Sequence, residues 1–234
     1  MRVSCRLRRK RTAARLASTR DCPTNSGGLP QTHRGEACLD GQIAPKCWEA
    51  MPPKVFRISR DHPAYYLTSV AKDCLPIFRT DAIAQITCNA INEARRTGKF
   101  LIFSYVIMPD HTHFVTDSRR ESRDVHRYLN GIISRRVIDH LKANGHESSL
   151  EKLREDRPSD GSKYSLWSHH PDTRLLWSEQ MLWQRIQYTH LNPVRLGLVD
   201  HPNDWRWSSA RIFHRRPAVD EPLSVDIDKI VWRT

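Results

Sequence analysis

At 234 residues, 38% hydrophobic and 27% charged, the chain has room for one domain of ordinary size plus extra segments. It has no apolar run of about 18 residues, which argues against a membrane span, and no apolar stretch behind its Arg-rich start of the kind a secretory signal carries. The formal net charge of +12 points instead to a polyanionic partner, because Lys and Arg held against phosphates release condensed counterions.

That excess is unevenly placed. Residues 1–50 hold 10 Lys/Arg against 4 Asp/Glu and residues 51–234 hold 28 against 22, so each part carries +6. The first 50 residues mix Arg, Ser, Thr, Gly and Pro without apolar periodicity and read as a disordered basic segment. Two readings stand side by side for it: a flexible arm adding non-specific nucleic-acid affinity, or an upstream stretch ahead of a true start at Met51. The six cysteines, Cys5, Cys22, Cys38, Cys47, Cys74 and Cys88, form no CxxC pair. They read as reduced, incidental thiols of a cytoplasmic protein.

In chain order, Tyr65 to Val70 (YYLTSV) is aromatic and β-branched and predicts a strand. Thr80 or Asp81 then caps a helix to about Arg96, with Ile83, Ile86, Ala90 and Ala94 on one face and Gly98 as its stop. Phe100 to Met108 is a continuous apolar run, hence a strand buried on both faces. Pro109-Asp110 makes a turn, and His111 to Thr116 returns as the next strand. Ser122 caps a long helix whose Val125, Leu129, Ile132, Ile133 and Val137 keep helical spacing. Residues 146–164 read as a polar loop, and a fourth strand falls within Tyr164 to Trp177, interrupted by His170-Pro171. Ser178 caps a last helix to about Leu191, which Asn192-Pro193 ends or kinks. The order strand, helix, strand, strand, helix, strand is the ferredoxin-like split βαβ pattern, an α+β fold whose antiparallel sheet has helices on one face, with one further C-terminal helix.

Two local patterns can carry chemistry. In a strand, residues i and i+2 share a face, so His111 and His113 project side by side and can hold one divalent ion. The plain alternative is a pair of half-exposed histidines at a strand start. On the last helix Gln184, Tyr188 and Asn192 share a face at steps of four. A helical tyrosine is ordinarily a packing residue. It becomes a nucleophile only beside positive charge or a polarised electrophile, which an ion on the two histidines supplies by gripping a phosphate oxygen.

The run Tyr105-Val106-Ile107-Met108-Pro109-Asp110-His111-Thr112-His113-Phe114-Val115 is followed about 75 residues later by Tyr188-Thr189-His190-Leu191-Asn192-Pro193-Val194-Arg195-Leu196-Gly197-Leu198-Val199. Together with the tail Asp204-Trp205-Arg206-Trp207-Ser208-Ser209-Ala210, these resemble the REP-associated tyrosine transposases, a single-tyrosine branch of the HUH single-strand transposases. The resemblance covers about residues 60–213 and says nothing of 217–234; a catalytic domain is expected over 51–216, with 217–234 a C-terminal tail. It implies metal ligation by His111 and His113, with Asn192 as the third ligand and His190 a weaker candidate on another side of the helix. It implies attack by Tyr188 on single-stranded or hairpin DNA, giving a 5′-phosphotyrosine and a free 3′ hydroxyl.

The expected ion is Mg²⁺ or Mn²⁺ completed by water and substrate oxygens, since structural zinc wants four protein ligands. Arg119, Arg120, Arg123 and Arg127 are candidates for lining a DNA groove, the alternative being a solvated helix face. Of Trp167, Trp177, Trp183, Trp205 and Trp207, at most one or two are expected to meet bases, most aromatics in such a chain being core. His169 and His170 are expected either to support the metal ligands from behind or to be plain loop histidines. A relative acting on host repeats and a non-catalytic single-strand binder remain as alternatives. The protein is expected as a monomer or homodimer with no membrane association.

Overall fold

After a short strand β1 (Phe56–Arg57), the chain lays down β2 (Ala64–Val70), helix α1 (Asp81–Gly98), β3 (Ile102–Ile107), β4 (His111–Thr116), α2 (Ser122–Ala143), α3 (Glu147–Leu153) and β5 (Asp172–Leu176). Helices α4 (Glu179–Arg195) and α5 (Ala210–Phe213) and strand β6 (Ile230–Val231) complete it. The computed structural model describes residues 56–155, 163–168 and 171–231. The expectations for residues 1–50, for Met51 and for His169 and His170 lie outside the described residues.

Strands β2 to β5 form one sheet in the order β3-β4-β2-β5, antiparallel throughout. This is the expected α+β, ferredoxin-like arrangement. Alternation along the strands divides the core in two. Leu67, Tyr105 and Phe114 turn to one face and pack with Ile91 of α1 and with Leu129 and Ile133 of α2. Tyr66, Phe103 and Val115 turn to the other face, where Leu182 and Ile186 of α4 cover them. The last helix therefore roofs the face that α1 and α2 leave open. β4 occupies the residues expected for it, and β3 is buried at every position, as its unbroken apolar run predicts.

Several local expectations need correction. Gly98 does not stop α1: the left-handed C-cap is Lys99, at φ 54°. Gly98 is required for space, since a Cβ there would sit 2.6 Å from Cε1 of Phe100 and 3.0 Å from Cδ2 of Tyr128. Phe100 is buried and has no room to retreat, so Gly98→Ala is expected to destabilise the fold by about 1–3 kcal/mol, the usual range for overpacking, read as a fall in thermal midpoint.

Ser122 is the first residue of α2 rather than its cap, and Glu121 precedes it without a side-chain capping bond. The polar stretch after 146 contains α3, held by buried Leu150 and Leu153. Helix α4 runs through Pro193 to Arg195. Proline removes one donor, but this close to the helix end the turn closes behind it, with Leu196 N donating to Asn192 O and Leu198 N to Pro193 O, and Gly197 at φ 66°.

The segment expected as a tail after residue 216 belongs to the same compact unit as the sheet. Leu223 is buried in the core, the Ile102 N–H donates to Asp226 Oδ2, and β6 pairs with β1. Cys74 is disulfide-bonded, against the expectation of reduced thiols, whereas Cys88 is free and buried. Among the described residues no helix is long and apolar enough to cross a membrane.

Candidate active site

The register of β2 against β4 sets Thr68 opposite His113 and Val70 opposite His111. Both imidazoles therefore stand on the face roofed by α4, with ring centroids 4.9 Å apart. Each has its Nδ1 engaged. That of His111 lies 2.6 Å from Asp110 Oδ1, and that of His113 lies 2.8 Å from the Tyr66 hydroxyl and 2.9 Å from the Thr68 hydroxyl. With their protons on Nδ1, the histidines donate to these oxygens and keep the Nε2 lone pairs for a ligand. Burial, reinforced by the neighbouring His111 and Arg185, holds the His113 pKa well below its ordinary value, so the ring is neutral. Burial also raises the Tyr66 phenol, which keeps its hydroxyl proton.

Tyr188 stands over this pair. Its ring centroid is 5.8 Å from that of His113 and 6.2 Å from that of Tyr66, in edge-on contact with both. At 37% exposure it meets solvent. Two guanidiniums flank it: Arg195 Cζ lies 4.7 Å from the ring centroid, and Arg185 Cζ lies 5.9 Å from it and 5.2 Å from that of Tyr66. Neither arginine has an acidic partner among the described residues. The arrangement joins a partly exposed tyrosine, two imidazoles whose Nδ1 atoms are engaged, and two arginines without an acidic partner among the described residues.

Asn192 lies one turn beyond Tyr188, buried, with its Nδ2 lacking a hydrogen-bond partner. His190 is instead a core histidine. Its Nε2 lies 2.8 Å from Ser209 Oγ, and its ring packs 4.8 Å from that of Phe213. Burial lowers its pKa to about 3.

The four arginines expected from sequence to line a DNA groove lie away from Tyr188 and the two histidines. β4 runs about 17 Å from His111 to Thr116 at its ordinary rise, and Arg119 and Arg120 follow its far end. Arg119 pairs with the buried Asp117 at 2.9 Å, and Arg120 Nε donates to the Gly98 carbonyl. Arg123 and Arg127 are exposed on the first turns of α2, 3.7 Å from Glu121 and 3.3 Å from Asp124 respectively. None of the four meets Tyr188 or the histidines.

Most tryptophans prove structural. Trp205 Nε1 donates to the Ile107 carbonyl, Trp207 Nε1 to Asp81, and Trp167 Nε1 to the Asn130 carbonyl, while Trp183 packs on Phe213. Trp177 alone of the five is half-exposed.

Arg185, Arg195, Tyr66, Thr68 and Asp110 are the site residues that sequence reasoning missed. Arg185 carried a signal, since i−3 shares the face of Tyr188 on one helix, whereas Arg195 falls past the helix end expected at Asn192-Pro193. The hydroxyls depend on strand register and carried none. Asp110→Asn weakens the acceptor that orients His111, and Tyr66→Phe removes one from His113. Loss of such an orienting partner lowers metal affinity by about 10- to 100-fold, and isothermal titration with Mn²⁺ is expected to show a drop of that size for each.

No protein-family model and no curated protein matches the chain. Among solved structures, a REP-associated tyrosine transposase bound to a REP hairpin aligns over 70% of this chain and 87% of its own, at 16% identity and a TM-score of 0.47. A candidate transposase from Deinococcus radiodurans R1 aligns over 53% of this chain and 86% of its own, at 20% identity and a TM-score of 0.38. The fold described above rests on this chain's own strand order.

Proposed function

We propose that this protein cuts and rejoins single-stranded DNA, with Tyr188 as nucleophile and a divalent ion, Mg²⁺ or Mn²⁺, held at His111 and His113. The observation that carries the reading is the 5.8 Å separation of the Tyr188 and His113 rings, close enough for one phosphate to touch both. The motifs shared with REP-associated transposases supply the substrate class: a folded single strand, hairpin in form.

The donor set suits such an ion. Two imidazoles with Nδ1 occupied would leave two Nε2 donors for the ion, and the side-chain oxygen of Asn192, one turn beyond Tyr188, is the third donor of this reading. No cluster of three or more His, Cys, Asp or Glu exists among the described residues, and water and substrate oxygens would complete the shell of a bound ion. When bound, the ion withdraws charge from a phosphate oxygen as a Lewis acid.

The remaining chemistry belongs to the chain. Tyr188 Oη forms an ester bond to phosphorus, the bond from phosphorus to the 3′ oxygen breaks, the phenol proton passes to solvent, and the departing oxygen is protonated. The products are a 5′ phosphate joined to Tyr188 and a free 3′ hydroxyl. One phosphodiester replaces another, so a second 3′ hydroxyl can reverse the step and join a new strand. Arg185 and Arg195 set positive charge where the pentavalent phosphorus gathers negative charge.

The test is incubation with a labelled single-stranded hairpin, with Mg²⁺ or Mn²⁺ and with EDTA, read as a denaturant-resistant protein–DNA adduct. The adduct is expected with either ion and to fall below detection on chelation. Binding without an adduct under any ion would make the protein a non-catalytic single-strand binder.

A further inference from the structure

A second concave site lies across the sheet edge from Tyr188. A cavity of about 410 Å³ opens between the start of α2 and the start of β5, lined by Ser122, Arg123, His126, Arg127, Pro171 and Thr173. Its chemistry is one-sided: two guanidiniums, one hydroxyl from each wall, and the first turn of a 22-residue helix, whose free N–H groups favour anions. His126 is 7% exposed, with Nε2 3.0 Å from Thr173 Oγ1 and Nδ1 without a partner. With Thr173 donating to Nε2, Nδ1 carries the proton, and Asp172 at the start of β5 acts on the ring through its backbone and its charge. Of the acids beside this site, Glu121 and Asp124 are already bound to Arg123 and Arg127, and Asp172 to Arg174, all in exposed pairs. Such pairs are weak and exchange readily for phosphate.

The cavity is near the reacting face in register. Thr173 pairs with Leu67 and touches His126, while its neighbour Arg174 pairs with Tyr66, the tyrosine in contact with Tyr188. Adjacent residues of an edge strand point to opposite faces, so Thr173 and Arg174 stand on opposite faces of the sheet edge, and β5 has no strand on its outer side among the described residues.

We infer that the cavity between α2 and β5 is a second phosphodiester subsite, which holds a backbone phosphate of the same DNA strand after it leaves Tyr188 and rounds the β5 edge past Arg174. The inference rests on the single-strand reading above, but its test does not require cleavage. Oligodeoxythymidines of two lengths, one spanning only the Tyr188 site and one long enough to round β5, are bound to the full chain carrying Tyr188→Phe, with and without Arg123→Ala/Arg127→Ala. Both arginines are exposed, so the double substitution leaves the fold intact, as a thermal melt checks.

For the longer strand, the arginine substitutions are expected to weaken binding at least tenfold at low salt. The slope of log K against log salt is expected to fall by about 0.7 for each phosphate that is no longer neutralised, and adding that strand to be visible as a shift of the His126 Nδ1 resonance. Equal weakening for both lengths, or an unchanged salt slope, overturns the subsite. So does free thymidine monophosphate that shifts His126 at lower concentration than the strand, which would make the cavity a nucleotide site. Failure of the cleavage reading shows separately, as absence of an adduct from the unsubstituted protein.

Discussion

Tyr188→Phe is expected to abolish the covalent protein–DNA adduct while leaving affinity for a single-stranded hairpin within about twofold. The substitution removes one oxygen from a ring that already meets solvent, so it creates no cavity and orphans no buried group. The edge-on contacts of that ring with His113 and Tyr66, and the guanidiniums of Arg185 and Arg195 beside it, need only the ring and survive. What disappears is the atom that bonds to phosphorus. Tyr66 is the other phenol nearby, but it is buried, its hydroxyl is committed to His113 and its pKa is raised by desolvation, so it does not substitute. A fall in strand cleavage of about 10³-fold or more, equivalent to about 4 kcal/mol of barrier, measured on denaturing gels together with unchanged binding by fluorescence anisotropy, is the expected pair of results. A persistent adduct in the Phe variant would remove Tyr188 from the chemistry altogether.

The residues around Tyr188 divide by how far their signal travels along the chain. His111 and His113 are legible in sequence because a two-residue alternation puts both on one face whatever the strand pairs with. Tyr188 and Asn192 are legible because a helix repeats at four. Arg195 is hidden by Asn192-Pro193, which reads as a helix end and leaves Arg195 off the helix. The closing turn at Gly197 absorbs the missing donor and carries the helix two residues further. Helix α3 is hidden because its seven residues bury only Leu150 and Leu153, too few apolar positions to establish a period.

Arg119, Arg120, Arg123 and Arg127 put a run of positive charge directly after the histidine strand. Sequence proximity does not bring them to the histidines, because a strand carries its two ends apart, and the arginines follow the far one. Tyr66, Thr68 and Asp110 act on the histidines through register and turn geometry. Which residue stands opposite His113 is decided by the pairing of two strands 45 residues apart, and no local pattern encodes it.

His113→Ala tests the other half of the site, and its structural and chemical effects separate. The substitution removes a buried ring and leaves the Tyr66 and Thr68 hydroxyls without their shared partner, so stability falls, by about 1–3 kcal/mol for buried groups left unsatisfied and further for the space vacated. If His113 were only a packing residue, cleavage measured well below the thermal midpoint would return to normal, and the Mn²⁺ concentration giving half-maximal cleavage would not move. As one of two imidazole ligands it is expected to act differently. The half-maximal Mn²⁺ concentration rises at least about 10²-fold, beyond the effect of losing an orienting partner, and the rate at fixed ion drops on the order of 10³-fold. Thr68→Val makes the contrast internal: it also strips an Nδ1 partner from His113 but leaves the ring and the Tyr66 hydroxyl in place. Its shift in Mn²⁺ requirement is expected to be the smaller of the two, and an equal shift in both variants would assign His113 to the core.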